Sequence, residues 1–485
     1  MRMKKRINIA IAATICLCVS FWCIDRWDVW FENPEEAPYT PSDMPTRVLL
    51  TFGDADGLHS RNISWMCDTM VQASAVELVD ASSSSPDSLQ LIQAEGEVFE
   101  SRSGKAAYYV ARLRNLQAGH TYRYRVVTAQ KASPWHEFHL PQAEQPTTSF
   151  LYMGDIQDSI GGIANQLLRS ALRQHPDAEF FVCGGDLTER PTDAYWAETF
   201  ESIDSIGQSM PVLTVTGNHD YLKGIICTLE RRFSLIHSYF LDSMVDENQV
   251  FTVRYRDVQL FCLDSNREFF YLSTQRNWLK EQLEASQAKW KIVVLHHPLY
   301  SIRGSMNNII QRWMFDDLIQ EHHVDLVLQG HEHAYARMTS PRTGSPCAAS
   351  PRAGRLSDCQ LSTVNSQLST PIYTVSHCSP KNYRIEFDER FDKFGSGSRY
   401  YQTVRTHGDT LFMAAYDATT HALYDSLLVV KTATSTLLHD CGMEIPEKIE
   451  FTPSPGNKKD AAFAERIKAY KQRTRLRPST LNSKP

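Results

Sequence analysis

An α/β domain standing behind an all-β one is the architecture this sequence predicts, and three observations carry it. Between residues 47 and 143, short β-like runs follow one another with turn residues between them. From residue 148 onward, apolar runs of strand length alternate with longer segments of helical character. Five of those later runs end in short polar blocks rich in Asp, Asn, Gln and His.

The chain opens with Lys4, Lys5 and Arg6 ahead of an almost wholly apolar stretch, Ile7 to Ile24, nearly long enough to span a bilayer core. Basic residues stay on the cytoplasmic side, so the rest of the chain is expected to be exported, to a periplasmic or other extracytoplasmic space. Without a good Ala-x-Ala site, residues 1–24 are read as an uncleaved anchor, with a cleaved signal as the alternative. Residues 25–46 are rich in Trp, Pro and acidic side chains and read as a stalk-like linker.

In the all-β domain, 47–143, strands are expected over Arg47 to Thr51, Asn62 to Met66, Val76 to Val79, Tyr108 to Leu113, Thr121 to Thr128 and Trp135 to His139. In the α/β domain, 148–432, the strands are Phe150 to Met153, Phe180 to Cys183, Val212 to Thr216, Ile292 to Leu295 and Val324 to Leu328. Helical segments lie over Gly162 to Gln174, Ala194 to Ile206, Ser273 to Ala288 and Asn308 to His322. This alternation describes βαβ units with mostly parallel strands, and the turn His407-Gly408-Asp409 marks a later hairpin. Residues 433–485 form an extension whose tail groups Arg466, Lys468, Lys471, Arg473, Arg475 and Arg477.

The blocks are Gly154-Asp155-Ile156-Gln157, Gly185-Asp186, Gly217-Asn218-His219-Asp220, His296 after Val293-Val294-Leu295, and Gly330-His331-Glu332-His333. In open α/β sheets ligands gather beyond the carboxyl ends of strands, so the five blocks are expected to meet in one crevice. Carboxylate and amide oxygens mixed with imidazoles suit Mn, Fe or Zn, and the absence of Cys argues against a closed structural zinc site. There are enough donors for two divalent cations, the arrangement that serves in-line displacement at phosphorus.

At these residues the chain resembles the calcineurin-like metallophosphoesterases, and more closely their purple acid phosphatase-like branch, over roughly residues 45 to 432. That resemblance implies a two-sheet α/β sandwich behind a fibronectin type III-like domain, with Trp65 as the latter's core Trp and Leu116 to Val126 as its tyrosine-corner strand. It implies one metal on Asp155, Asp186, His333 and Gln157, and a second on Asp186, Asn218, His296 and His331. His219 would protonate the leaving group, oriented by Asp220. The chain departs from the purple enzymes at Glu189, where they carry a Tyr ligand, and at Gln157, where many members carry His. A colourless protein with divalent metals is therefore expected. Arg303 and His297 are candidate contacts to substrate, although strand alternation would turn His297 away from the site. Glu332 is not expected to ligate, and Asn266 reads as a turn residue.

The implied activity is phosphoester hydrolysis by metal-activated water, with phosphomonoesters favoured over diesters and small-molecule or glycan-linked substrates as partners. A rival reading is an envelope glycan-binding or scaffold protein with a degenerate metal site. Fifty basic against 56 acidic residues give a net charge of −6 without a basic stripe, so nucleic-acid recognition is not indicated. Of the cysteines, Cys347 and Cys359 are the one pair expected to bridge, while Cys183 and Cys262 read as buried thiols.

Overall fold

A computed structural model describes residues 31–82, 89–239, 250–339 and 371–475, with Ile24, Arg26, Trp27 and Val245 besides. The apolar run 7–24 (save Ile24), the Cys347–Cys359 pair and Arg477 therefore lie outside the described residues. Among the described residues no helix is long and apolar enough to cross a membrane.

The six N-terminal strands expected from sequence form, within three residues, as Thr46–Phe52, Arg61–Met66, Ser74–Asp80, Lys105–Leu113, Thr121–Thr128 and His136–His139. Trp65 and Tyr109 stack at 5.5 Å in their core, and the indole N–H of Trp65 donates to Thr128 Oγ1 at 2.9 Å. The tyrosine corner is present, since the Tyr122 hydroxyl accepts from the Gln117 N–H at 2.8 Å. Gln90–Glu100, a further strand, pairs over its first residues with Ser74–Asp80 and over the rest with Lys105–Leu113, joining the two layers. Most of its side chains are exposed, so the apolar alternation that reveals a strand is missing.

Two seven-stranded sheets make the second domain. One holds Thr147–Met153, Phe180–Cys183 and Val212–Thr214 in parallel, extended by the antiparallel strands Tyr400–His407, Thr410–Asp417, Leu423–Lys431 and Thr436–Asp440. The other holds Val258–Cys262, Trp290–Val294, Leu326–Gln329 and Ile372–Val375 in parallel, with Phe251–Tyr255, Tyr335–Thr339 and Lys393–Gly395 antiparallel at its margins. The five motif strands are thus divided three and two between facing sheets. Phe150, Tyr152, Phe180 and Leu213 meet Leu260, Ile292, Val294 and Leu328 in the layer between them. Helices Ala164–Gln174 and Asp193–Ser202 cover one outer face, and Phe269–Ala285 and Ile309–Glu321 the other. Because both faces of the parallel motif strands are buried, those strands read as continuous apolar runs.

One sequence expectation changes. The segment read as a stalk packs against the body: Glu36 is buried and pairs with Arg232 at 2.6 Å, while Asn33 exchanges two hydrogen bonds with the Lys223 backbone. Its acidic residues suggested solvent, but this one finds a buried guanidinium. The C-terminal extension also joins the fold, through Thr436–Asp440 at a sheet edge and through helix Lys458–Arg475, which buries Phe463 and Ile467.

Candidate metal centre

Each polar block lies just past a strand end, and in three of them the chain leaves the sheet in conformations a strand forbids. Asp155, Asp186, His331 and His333 have φ of 45°, 51°, 70° and 34°. Left-handed backbone costs an L-residue about 1–2 kcal/mol, and four such residues in one crevice mark a site where geometry is enforced by its surroundings. Glycines permit the approach. A Cβ on Gly217 would come within 2.1 Å of the Asp186 Oδ1, and one on Gly330 within 2.4 Å of Asp155 Oδ2.

Asn218, His296, His331 and Asp186 form one group of donors. Asn218 Oδ1 lies 2.9 Å from His331 Nδ1 and 3.2 Å from His296 Nε2, and those two nitrogens are 3.3 Å apart. Asp186 Oδ2 is 3.4 Å from His296 Nε2. Ligands about 2.1 Å from a common cation stand roughly 3.0–3.4 Å apart at octahedral or tetrahedral angles, so this group has the dimensions of a coordination shell. His296 Nδ1 faces the Gly184 carbonyl at 2.9 Å, which leaves Nε2 for the cation.

Asp155, Gln157 and His333 form the other group. His333 Nε2 is 3.4 Å from Asp155 Oδ1 and 3.0 Å from the Gln157 side-chain nitrogen. Asp155 Oδ1 and Gln157 Oε1 are buried without a hydrogen-bond partner. Buried oxygens are rarely left so, and a cation would satisfy both. Gln157 is therefore inside the site. Its amide nitrogen, though, lies against His333 where a ligand oxygen would be needed. Ligand atoms of Asp155, Asp186 and His296 all fall within 4.8 Å of one another, which joins the two groups at Asp186.

The electrostatics agree. Burial penalises ionisation of Asp186 and His296 alike, but their pairing outweighs it, holding the Asp186 carboxyl below the usual range and lifting His296 to about 10. The negative field that retains a proton on His296 is a field suited to a cation.

Asp220 does not orient His219. It belongs to the 3₁₀ turn Asn218–Asp220, and its carboxylate closes back on the Gly217 N–H at 2.7 Å. Successive side chains on such a turn diverge by about 120°, so Asp220 is buried behind the turn while His219 faces the crevice. The Glu189 carbonyl does the work instead, accepting from His219 Nδ1 at 2.6 Å. The Glu189 carboxylate is only partly exposed and pairs with Lys381 Nζ at 2.8 Å.

His297 also differs from expectation. Its strand ends at Val294, alternation lapses, and its ring centre lies 4.2 Å from that of His331, with Nδ1 3.0 Å from Ser265 Oγ. Burial, then the neighbouring His296, pushes His297 down to about 3. Arg303 is exposed at the rim, its guanidinium 4.4 Å above the Tyr383 ring, which in turn stacks on His333 at 4.3 Å. Glu332 turns away and accepts from Ser301 Oγ at 2.5 Å and Ile302 N–H at 2.6 Å, fixing the loop that carries Arg303. Asn266 donates to the Thr216 carbonyl at 2.9 Å, tying two loops of the crevice together. Sequence reasoning missed Tyr383 and Lys381, which stand on irregular chain after Ser376 without any motif.

Residues 148–335 match the calcineurin-like phosphoesterase family and residues 45–140 the purple acid phosphatase N-terminal domain. The chain is 24% identical to a phosphoenolpyruvate phosphatase of Allium cepa, covering 64% of this chain and 66% of that one. It is 26% identical to purple acid phosphatase 3 of Arabidopsis thaliana, covering 41% and 61%. The matches thus span slightly less than two thirds of either relative. The solved structure of a purple acid phosphatase from yellow lupin (Lupinus luteus) seeds superposes with a TM-score of 0.64 at 15% identity, covering 86% of this chain and 78% of that one.

Proposed function

Starting from a chain with a calcineurin-like phosphoesterase domain behind a purple acid phosphatase N-terminal domain, we propose an exported, metal-dependent phosphomonoesterase with a dinuclear centre. The coordination-shell spacing of Asn218, His296, His331 and Asp186 carries this reading. The named phosphatase relatives support monoesters over diesters. Two divalent cations held by Asp155, Gln157, Asp186, Asn218, His296, His331 and His333 would offset phosphate charge and acidify a water nucleophile.

The remaining steps belong to the chain itself. With Nδ1 committed to the Glu189 carbonyl, His219 keeps Nε2 free to deliver a proton to the leaving oxygen. Arg303, braced on Tyr383, reaches a phosphate oxygen from the rim, and His297 walls the side of His331. The test is turnover of an aryl phosphate and of a bis-aryl phosphate with added Mn, Zn or Fe. Faster monoester hydrolysis, abolished by Asp186→Ala, is expected. No turnover with any metal, or none lost on Asp186→Ala, would sink the enzyme reading.

A further inference from the structure

The crevice is bordered by an apolar surface that the chemistry so far leaves unused. Helix Phe269–Ala285 and helix Ile309–Glu321 follow parallel strands, so their N-terminal ends stand at the site end of the sheet. The helices are held in register by Arg276, which donates to the Met314 carbonyl at 2.5 Å and pairs with Asp317. Two turns before Arg276 come Phe269 and Phe270, 60% and 76% exposed; one turn before Asp317 comes Trp313, 65% exposed. Met306, just ahead of the second helix, is 72% exposed. Ser265 links this surface to the site, touching His297 Nδ1 through Oγ and accepting from Gln311 through its carbonyl at 3.1 Å.

A second apolar point stands on a hairpin bonded to the same loops. The hairpin of Tyr221–Leu222 and Thr228–Leu229 grows directly from the His219 turn, and Tyr221 donates to Asp264 in the loop that leads to Phe269. Its tip exposes Ile225 and Ile226 at 87% and 63%. A soluble surface seldom displays so many large apolar side chains around one opening.

The chain's own course says what covers them. Asn33 is bound in both directions to the backbone of Lys223, next to that hairpin tip, at 2.9 and 2.8 Å. Upstream, Ile24, the last residue of the apolar run 7–24, and Trp27 are exposed at 70% and 49%. The N-terminal segment is therefore held, at Asn33, beside a hairpin that grows from the crevice.

We propose that the crevice opens onto a lipid bilayer, with Ile225, Ile226, Phe269, Phe270, Met306 and Trp313 seated in its interface, and that the substrates are phosphoesters displayed at that surface. Aromatic side chains favour the interfacial zone, and a second apolar contact converts a single tether into a fixed orientation. The substrate half of this proposal rests on the phosphoesterase reading; the surface half does not.

The full chain is reconstituted in phosphatidylcholine vesicles whose acyl chains are brominated near the glycerol. Wild-type fluorescence is compared with that of Trp313→Phe and, as a control on the N-terminal domain, Trp135→Phe. Trp313→Phe is expected to remove a quenchable component and Trp135→Phe an unquenched one. A Trp313 component untouched by bromine, as when solvent or a second copy of the chain covers it, overturns the docking. In parallel, the double variant Phe269→Ser/Phe270→Ser is assayed on phosphatidate in vesicles and on dispersed aryl phosphate. A loss of about tenfold, 1.4 kcal/mol, on the vesicle substrate is expected, with the dispersed substrate unchanged. Equal effects on both overturn the substrate assignment. If wild type turns over neither substrate, the phosphoesterase reading fails while the quenching result still decides the surface.

Discussion

Gln157 separates a complete metal site from an uneven one. Its nitrogen, 3.0 Å from His333 Nε2, stands where a ligand oxygen would be needed, so of the four residues in its group only Asp155, Asp186 and His333 turn donor atoms toward a cation. Gln157→His is expected to raise metal retained after dialysis from between one and two ions per chain toward two, measured by elemental analysis; unchanged content would show that Gln157 does not ligate. His219 offers a different signature, because it is held by a backbone carbonyl and binds no metal in the proposed scheme. His219→Ala should keep its metal and lose about 10²–10⁴ in rate for poor leaving groups, with a much smaller loss for good ones. An equal loss across leaving groups would contradict the proton-donor role. Asp220→Asn, by contrast, should alter folding more than leaving-group dependence, since its carboxylate serves the turn.

At the scale of elements, helix Arg231–His237 shows how a buried polar residue sets pH behaviour. His237 has its ring 4.4 Å from that of Phe233 and 5.9 Å from Trp196, and burial pushes its pKa down to about 3. An unfolded His titrates near 6.5, so the unfolded state takes up a proton that the native state refuses. Stability is then full above pH 6.5 and falls by about 1.4 kcal/mol per unit as pH drops toward 3. His237→Phe should flatten the decline of Tm between pH 6.5 and 4; an unchanged slope would place the acid sensitivity elsewhere. The elements that were legible in the sequence are those whose signal is local. The five motif strands are continuous apolar runs, four of them leading into glycine and the fifth into His296, and Trp65 with Tyr122 marked the β domain. What escaped depends on partners far away in sequence. Gln90–Glu100 is a strand because it joins two layers, not because its own side chains alternate. Glu189 orients His219 through a carbonyl, which no residue pattern can announce. His297 faces the site only because its strand stops at Val294.

The whole molecule is joined at Arg232. Its buried guanidinium pairs with Glu230 at 2.8 Å and Glu36 at 2.6 Å and lies 4.0 Å from Asp193, which itself holds Arg47 at 2.7 Å. The N-terminal segment, the β domain and the α/β domain thus meet in one desolvated ion network. Around it they share apolar packing, with Leu49, Met66 and Tyr108 in one cluster with Trp196, Phe200, Phe233 and Ile236. Backbone bonds cross the same boundary, from Leu50 N–H to the Gly207 carbonyl at 2.7 Å, and the Tyr124 hydroxyl donates to the Gln208 carbonyl at 2.8 Å. An interface with a common core couples the two domains, so heat should unfold them in one transition, with calorimetric and van't Hoff enthalpies agreeing. Arg232→Met should cost about 3–5 kcal/mol by denaturant titration, because it strands two buried carboxylates instead of removing a balanced pair. Acid should narrow that deficit, since Glu36 and Glu230 can then bury as neutral acids. Two resolved thermal transitions in wild type, or a cost below about 1 kcal/mol, the ordinary value of a surface pair, would show that the domains stand independently.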